Sequence, residues 1–352
     1  MRTAKIGVIG AGWWSTQAHI PSLLAYDRAE LVGVADPDAR KIEAAADYYE
    51  IGGAYEDYRE LLTKVDGVVS AVPHAYHYQI ARDALVAGVH VLVEKPMVLT
   101  AAHAWDLVER AGTSGVELMV GTTFQFTSLA RRVREIVQSG GIGELLYVSG
   151  LFASIAESFY RSRPEDYAPV FKYPVTGPLP DSYSDPKIAG GGHGQTQLTH
   201  AMGMVFWVTG RRAVETFAYM RNFDLQVDLV DAVSYRLDNG AIGTIGGTGS
   251  LRSGQDQNQE FVYYGSEGQL RQDMIHGTAD VYYNDGRSEV LPPLAEEDIY
   301  PRHLPSRTLA DLVLGEGENL SPGTIAAHTV ELLEAAYRSA ETGLPVRPAD
   351  LR

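Results

Sequence analysis

The chain has 352 residues, of which 45% are hydrophobic, and a formal net charge of −16 at pH 7. This length is enough for two domains with their own cores. The negative charge, with no basic stripe, argues against nucleic acid or an anionic membrane surface as a partner. The absence of cysteine excludes disulfides, thiolate metal sites and a cysteine nucleophile. With no apolar run near the roughly 18 residues of a membrane-spanning helix and no signal-peptide pattern, we expect a cytoplasmic protein.

The first 120 residues alternate short apolar runs with segments of helical periodicity. The runs are almost continuously apolar, which is typical of parallel strands buried on both faces, and they lie at Lys5–Ile9, Glu30–Ala35, Gly67–Val72, Val89–Glu94 and Glu117–Gly121. Helical segments between them include Pro37–Tyr49, His77–Ala87 and Ala101–Ser114. This alternation predicts an α/β domain with a doubly wound parallel sheet over residues 1–123.

After residue 124 the apolar residues alternate with polar ones, following a linking helix at Leu129–Ser139. The alternation indicates strands at Leu145–Ala153, Ala213–Arg221, Val230–Leu237, Ala241–Thr248, Phe261–Tyr264 and Ala279–Tyr283, with hairpin turns at Asn239-Gly240 and Asp285-Gly286. Helices are expected at Thr196–Thr209, His303–Leu314 and Gly323–Thr342. The C-terminal helix is a candidate for packing back on the first domain. The segment Glu157–Ile188 is expected to be a long loop. Residues 124–352 are therefore predicted to form an α+β domain with a large, mainly antiparallel open sheet.

A glycine-rich loop follows the first predicted strand and opens a helix: Gly10-Ala11-Gly12-Trp13-Trp14-Ser15. Gly10 permits a tight turn, and Gly12 lets the backbone approach a pyrophosphate at the helix N-terminus. Asp36, at the end of the second strand, places a carboxylate for the 2′-hydroxyl of an adenosine ribose. The loop, with Trp13 and Trp14, is thus expected to hold NAD. NADP is less favoured, although Arg40 and Lys41 leave some room for it.

The segment Glu94-Lys95-Pro96 follows an internal strand of the predicted parallel sheet. The carboxyl ends of such strands face the ligand crevice. A partly desolvated lysine there has its pKa lowered and acts as a base. Lys95 is our candidate proton acceptor. Glu94 is a candidate for orienting it, and a structural ion pair is the equal alternative.

A second glycine run precedes the predicted helix that begins at Thr196. Gly190, Gly191 and Gly192 allow close approach of the backbone to a ligand or another strand. His200 lies on the same face of that helix as Thr196, Met204 and Trp207, where a lone histidine is more often a hydrogen-bonded core residue. No spaced set of histidine and carboxylate ligands accompanies it, so we predict no metal site.

These features resemble the glucose–fructose oxidoreductase, inositol 2-dehydrogenase and rhizopine-catabolism (Gfo/Idh/MocA) family over almost the full length. The resemblance rests on segments in both halves of the chain, namely Gly10–Gly12, Val72–His77, Ala87–Pro96, Gly141–Glu144, Gly190–His200 and Ala340–Val346. It implies a Rossmann domain, then an α/β domain whose open sheet covers the active site and often makes a homodimer or homotetramer interface. It also implies reversible NAD(P)-linked oxidation of a secondary alcohol of a sugar, glycoside or cyclitol.

The resemblance also implies roles for individual residues. Lys95 matches the family lysine that hydrogen-bonds the reacting hydroxyl, and His200 matches the histidine of the family's Asp-x-x-x-His pair. Pro73 and His77 match family positions that line the nicotinamide side. Val72, His74, Glu94 and Lys95 are also expected to contact the cofactor. Two departures stand out: Thr196 occupies the position of the usual aspartate, and Gly121–Gln125 lacks the arginine of the family's Gly-x-Asn-x-Arg segment.

The sequence therefore predicts hydride transfer between a nicotinamide and a carbohydrate-like alcohol, with Lys95 and His200 as catalytic residues. Further substrate contacts are predicted for Gln125, Tyr183, His193, Gln195 and Thr196, whose amide, phenol, imidazole and hydroxyl groups suit a neutral sugar. Arg161, Arg163 and Lys172 leave open an anionic substrate. Two alternatives remain: an NAD-dependent enzyme that cleaves glycosides by transient oxidation and elimination, and a non-catalytic protein that senses NAD or a sugar.

Overall fold

The computed structural model describes residues 2–167, 171, 174–175 and 177–352. The first half forms a six-stranded parallel sheet with the strand order β3-β2-β1-β4-β5-β6. Its strands are β1 (Ala4–Ile9), β2 (Ala29–Ala35), β3 (Ala54–Tyr55), β4 (Gly67–Ser70), β5 (His90–Val93) and β6 (Leu118–Val120). The helices between them are α1 (Ile20–Leu24), α2 (Ala39–Tyr49), α3 (Tyr58–Leu62), α4 (His77–Val86) and α5 (Ala101–Ser114). The predicted doubly wound sheet is confirmed.

The second half is built on an eight-stranded sheet in the order β14-β13-β12-β11-β7-β10-β9-β8. Its strands are β7 (Leu145–Ala153), β8 (Ala213–Arg221), β9 (Val230–Leu237), β10 (Ile242–Thr248), β11 (Asn258–Gly265), β12 (Gly268–Asp273), β13 (Thr278–Tyr283) and β14 (Ser288–Val290). Every neighbouring pair is antiparallel except β7 and β10. The mainly antiparallel sheet is therefore confirmed, and the short β12 and β14 were missed because their polar residues hide the alternation.

Helices complete both halves of the molecule. They are α6 (Ser128–Gln138), α7 (Glu157–Tyr160), α8 (Pro164–Tyr167), α9 (Pro186–Ala189), α10 (Thr199–Thr209), α11 (Glu296–Ile299), α12 (Leu304–Val313) and α13 (Gly323–Thr342). The described part of the segment Glu157–Ile188 thus includes the short helices α7 and α8 and most of α9, and its expected lack of regular structure is corrected. Their sequences, rich in proline and acidic residues, are too short to show helical periodicity.

Two C-terminal helices return to the parallel sheet. Leu309 and Val313 of α12 are buried with Ile6 and Val8 of β1 in one hydrophobic cluster. Ala327 and other residues of α13 join the cluster beneath β4, β5 and α5, while Leu333 of the same helix is buried with the second sheet. The C-terminal helix therefore packs between the halves and fixes the cleft between them. The predicted boundary at residues 123 and 124 falls in the connection from β6 to α6.

Candidate active site

The loop after β1 lies where the order of the parallel strands reverses, between β1 and β4. Gly10 has φ +94°, and a Cβ there would lie 2.7 Å from the carbonyl oxygen of Ala71. Only glycine suits this position. Among the described residues, the nearest atom to a Cβ on Gly12 would be Ala71 O, at 4.0 Å. Gly12 therefore presents an open backbone edge to the crevice, where a phosphate group has room to approach.

Asp36 connects the end of β2 to this loop. Its Oδ2 accepts a hydrogen bond from Ala11 N at 2.9 Å, and its Oδ1 accepts one from Asp38 N at 2.9 Å. The hydroxyl of Ser15 is buried and has no hydrogen-bond partner among the described residues. Arg40 pairs with Asp38 rather than reaching towards Asp36. An open glycine edge, an orphaned hydroxyl at the loop and a carboxylate beside it fit a dinucleotide.

Glu94 is buried at the end of β5, and its carboxylate is shared by two side chains of the first loop and helix. Trp14 Nε1 donates to Oε1 at 2.8 Å, and His19 Nε2 lies 3.1 Å from the same oxygen. Burial acts to raise the pKa of Glu94, but the hydrogen bonds from His19 and Trp14 and the Lys95 charge outweigh it, so the pKa is lowered. Glu94 is therefore an ionised anchor.

His19 was not among the predicted site residues. It is 1% exposed, on the helical turn that begins at Ser15, and its bond to Glu94 spans 75 positions of sequence. Its position nine residues after Gly10, on the helix that the loop opens, is the sequence signal that could have identified it. His19 ties the cofactor loop to the strand that carries Lys95.

Lys95 extends from the end of β5 into the second half of the molecule. Its Nζ donates a hydrogen bond to the backbone carbonyl of Thr196 at 3.0 Å. Burial lowers the pKa of this amine, and the neighbouring Glu94 charge opposes that effect only in part. The predicted location, at the carboxyl end of an interior strand and partly desolvated, is confirmed by the structure. A neutral amine at this position can accept a proton.

Two imidazoles lie close enough to Lys95 for its charge to act on them. His200 is 7% exposed, its Nδ1 has no hydrogen-bond partner in the described part of the chain, and burial lowers its pKa well below the ordinary value. His74 is also buried, and desolvation lowers its pKa to about 3. Both rings are therefore neutral at physiological pH. His74 Nδ1 lies 2.9 Å from the carbonyl of Ala189, so this nitrogen carries the ring hydrogen.

The segment predicted to line the nicotinamide side forms a tight turn after β4. His77 is fully buried, with Nε2 2.8 Å from Val72 O and Nδ1 2.8 Å from Pro96 O. Pro73 precedes the helical turn His74–Tyr76. His77 thus joins this turn to the segment that follows Lys95, and its ring is occupied in holding the backbone. Contact of Val72, Pro73, His74 and His77 with a cofactor stays a prediction.

Thr196 contributes its backbone rather than its side chain to Lys95. Its hydroxyl donates to Gly192 O at 2.8 Å and is also bonded to the hydroxyl of Tyr160. Because the single hydroxyl hydrogen goes to Gly192, the phenol of Tyr160 is the donor in the second bond. The Thr196 side chain is 2% exposed, which argues against the predicted contact between this hydroxyl and substrate. Tyr160 was not predicted as a site residue, because no motif or periodicity within Glu157–Ile188 distinguishes it.

His193 and Gln125 lie deeper than the sequence suggested. His193 is completely buried, between Ser154 Oγ at 3.3 Å and Asp231 Oδ2 at 3.2 Å. Gln125 donates to Gly203 O at 3.1 Å and accepts from Thr122 Oγ1 at 2.9 Å. The polar groups of both side chains are engaged inside the protein, and we do not carry their predicted substrate contacts forward. The sequence pattern missed this because their partners, Thr122 excepted, are at least 38 positions away in the sequence.

Gln195 and Tyr183 remain compatible with a role in the cleft. Gln195 is 2% exposed, and its Oε1 has no hydrogen-bond partner among residues that the structure describes. The ring of Tyr183 lies 5.7 Å from that of His74. Burial raises the pKa of Tyr183 to about 12, so its phenol stays neutral. Substrate contact by either residue stays a prediction.

Aromatic side chains connect the segment Glu157–Ile188 to the Gly10–Ser15 loop. The Trp13 ring lies 5.2 Å from Trp14 and 4.9 Å from Phe171, both edge-on. Trp14 also approaches Tyr300, 6.3 Å away. Arg161 of the same segment is bound by Glu157 and Asp224, while Arg163 is exposed and Lys172 lies outside the described residues.

A further open cleft lies away from Lys95. It has a volume of about 740 Å³ and lies at the opposite end of the parallel sheet, beside Arg59, His90 and Val313. Among the described residues there is no group of three or more metal-ligating side chains and no helix both long and apolar enough to cross a membrane. The cytoplasmic location and the lack of nucleic-acid or membrane partners stay predictions.

Comparisons with known proteins agree with this geometry. Residues 4–122 match a model described as an oxidoreductase family with an NAD-binding Rossmann fold, and residues 130–271 match the GFO/IDH/MocA C-terminal domain. A 1-carboxy-3-chloro-3,4-dihydroxycyclohexa-1,5-diene dehydrogenase of Comamonas testosteroni is 25% identical over 73% of this chain and 61% of its own length. D-glucoside 3-dehydrogenase of Escherichia coli is 29% identical over 40% of this chain and 41% of its own.

A solved structure extends the likeness to the whole chain. GenD2 from gentamicin A biosynthesis, in complex with NAD, is 26% identical with a TM-score of 0.80, and the match covers 99% of this chain and 97% of that one. The match covers less than two thirds of the length of these two curated relatives. Their substrates therefore cannot be assigned to this protein from the similarity alone. The chain carries an NAD-binding Rossmann domain and belongs to the Gfo/Idh/MocA family of oxidoreductases.

Proposed function

We propose that this protein catalyses the reversible NAD-linked oxidation of a secondary alcohol of a neutral sugar or glycoside. The observation that carries the proposal is the Lys95 amine: it is desolvated, held at 3.0 Å by the Thr196 carbonyl, and close to the neutral ring of His200. Oxidation of an alcohol releases a proton, and an amine with a lowered pKa at this position is suited to accept it.

The residues around the cleft have separate roles in this reaction. Bound NAD supplies the hydride acceptor, and the Gly10–Gly12 loop with Asp36 would hold it. Lys95 takes the hydroxyl proton from the substrate. His200 is neutral and offers its imidazole to the same oxygen or its neighbour. Glu94, fixed by Trp14 and His19, keeps Lys95 at the end of β5.

The preference for a neutral substrate follows from the charges in the cleft. Arg161 is neutralised by Glu157 and Asp224, and apart from the anionic Glu94 the ionisable groups near Lys95 are the neutral imidazoles of His74 and His200. Such groups hydrogen-bond hydroxyls without requiring a negative charge. The similarity to a D-glucoside 3-dehydrogenase supports a pyranoside, and makes carbon 3 the first position to examine.

The test is a panel of neutral pyranosides, free sugars and cyclitols, with a sugar phosphate and a uronic acid as charged comparisons. NADH formation is followed by absorbance and products by mass spectrometry. We expect NADH and one equivalent of a keto-sugar from a neutral substrate. Free aglycone without net NADH would instead establish the glycoside-cleaving alternative, and NAD binding with no product from any of the alcohols would favour a sensing protein.

We also propose that a second copy of the chain covers the outer face of the eight-stranded sheet. The register aligns Ile242, Tyr147, Tyr264, Gln269 and Tyr282 in one row across five strands. Ile242 is 54% exposed, Tyr264 37% and Tyr282 47%. A row of this length in which four of the five side chains are aromatic or aliphatic is unusual on the free surface of a monomer and is typical of an isologous interface.

Light scattering coupled to size exclusion tests this second proposal. We expect a dimer or tetramer for the unaltered chain and a smaller species for Ile242→Glu, because a buried charge opposes association. Glu215→Gln, on the edge strand β8, is the control and leaves the assembly unchanged. An unaltered chain that runs as a monomer at micromolar concentration contradicts the proposal.

A further inference from the structure

Asp228, just before β9, holds the second glycine run from both its side chain and its backbone. The side chain is buried, and its carboxylate accepts three hydrogen bonds: from Gly192 N and the Tyr337 hydroxyl at 2.7 Å each, and from Gly194 N at 2.6 Å. The carbonyl of Asp228 accepts a fourth from His193 N at 3.0 Å. One residue therefore fixes three consecutive backbone positions.

The contacts of Asp228 and Tyr337 with the Gly192–Gly194 backbone, which we call the clamp, are tightly packed. A Cβ on Gly192 would lie 1.9 Å from the Asp228 carbonyl oxygen, and a Cβ on Gly194 would lie 2.6 Å from the hydroxyl of Tyr337. That hydroxyl also accepts a hydrogen bond from Gln195 N at 3.1 Å. The glycines of this run are thus required by the approach of Asp228 and Tyr337.

The clamp is connected to the reacting end of the cleft through a few covalent bonds. Thr196 follows Gly194 by two residues, and its hydroxyl returns to the carbonyl of Gly192. The Thr196 carbonyl, in the π-helical turn Gly194–Leu198, accepts the hydrogen bond from Lys95 Nζ. Any displacement of Gly192 or Gly194 therefore moves the oxygen that holds Lys95.

We propose that Asp228 is a positioning residue for the reaction, which fixes the Gly192–Gly194 backbone so that the Thr196 carbonyl meets the Lys95 amine. The inference deepens the proposed function, because it takes Lys95 as the proton acceptor. Asp228 replaces in part the carboxylate that the family resemblance expects at position 196. It acts through the backbone, since the ionisable groups that face Lys95 in the described chain are Glu94, His74 and His200.

The chain offers a matched pair of substitutions. In Asp228→Asn an amide NH₂ faces a backbone N–H that needs an acceptor, so the glycine run must shift. Asp231 lies three residues further on and is equally buried. Its pKa is raised well above the ordinary value by burial and by the Asp228 charge. These effects favour the protonated form of Asp231, so Asp231→Asn changes shape and charge little and serves as the control.

The experiment measures the pKa of Lys95 directly, by competitive acetylation with acetic anhydride as a function of pH and mass spectrometry of the peptide that contains Lys95. A carbonyl that accepts a hydrogen bond from an ammonium raises its pKa. Asp228→Asn should therefore move the labelling midpoint to lower pH by about one unit, and Asp231→Asn should leave it unchanged. A folded Asp228→Asn protein whose midpoint stays in place or rises overturns the proposal.

Two further measurements keep the outcome interpretable. Tyr337→Phe removes one donor from the clamp but preserves the carboxylate, and should shift the midpoint in the same direction by a smaller amount even if Asp228→Asn does not fold. In turnover, Asp228→Asn should lower kcat by about tenfold to 100-fold with unchanged NADH affinity. If the unaltered protein oxidises no alcohol, the proposed function fails, while the labelling result still decides the role of Asp228.

Discussion

Gly12 and Gly192 both lie in glycine-rich segments that precede a helix, one in each half of the chain. Around Gly12 no atom of the described residues lies closer than 4.0 Å to the place of a side-chain Cβ, whereas at Gly192 the Asp228 carbonyl oxygen lies 1.9 Å from it. The first glycine leaves room for a ligand, and the second allows the protein to pack against itself. The same residue type in similar sequence settings therefore serves binding in one half and positioning in the other. The Glu94-Lys95 pair bridges the two, because Glu94 bonds to Trp14 and Lys95 bonds to Thr196.

The largest effect should come from removing the group that bridges the two segments. Lys95→Ala should lower kcat for alcohol oxidation by about 100-fold to 10,000-fold, the range for loss of a general base. NAD affinity should change little, because the Gly10–Gly12 loop and Asp36 are untouched. Steady-state kinetics and NADH fluorescence titration measure both. A variant with the turnover of the unaltered protein would show that another group accepts the proton.

The same lysine fixes the expected pH dependence. Because burial lowers the pKa of Lys95, the basic form appears at lower pH than for an exposed lysine, whose pKa is about 10.4. In the direction of alcohol oxidation, kcat/KM should rise with pH and reach a plateau below that value. A rise that continues to pH 10 or beyond would contradict a desolvated base.

Alanine at each of the two glycines tests the comparison itself. Gly192→Ala should destabilise the protein by about 3 kcal/mol, because the new methyl group meets a backbone carbonyl that cannot move away. Gly12→Ala should leave the melting temperature unchanged and weaken NAD binding at least about tenfold. Thermal melts and NADH titrations measure the two effects. If Gly12→Ala lost stability and kept its affinity, the glycine would be structural in both halves.

Cofactor selection should respond to a single carboxylate on the Gly12 side of the cleft. Asp36→Ala should reduce the ratio of kcat/KM with NAD to that with NADP by about tenfold, since an anion no longer repels a 2′-phosphate. Asp38→Asn is the control: this side chain bonds to Arg40 and caps α2, so the ratio should not change. An unaltered ratio in Asp36→Ala would remove Asp36 from this role.

The sequence was most informative where the determinants are local. The parallel strands are short apolar runs, and the Gly10–Ser15 loop and Lys95 lie beside them in the sequence, so both the first domain and the location of Lys95 at a strand end were predictable. The second half of the site depends on partners that are remote in sequence. Asp228 reaches Gly192 across 36 positions and Tyr337 across 109. No periodicity marks such residues, which is why the glycine run was assigned to a ligand or another strand without its partner.

The smallest expected effect comes from restoring an acid at position 196. In Thr196→Asp, a carboxylate enters a site whose side chain now bonds to Gly192 and Tyr160. A negative charge near Lys95 stabilises the ammonium, so the rise of kcat/KM with pH should move upward by about one unit. Thr196→Val, which removes the hydroxyl without adding charge, is the control and should leave the pH profile in place. An unchanged pH profile in a folded Thr196→Asp protein would mean that the new carboxylate does not reach Lys95. In that case only the backbone carbonyl of residue 196, which Asp228 holds in place through the glycine run, would act on the amine.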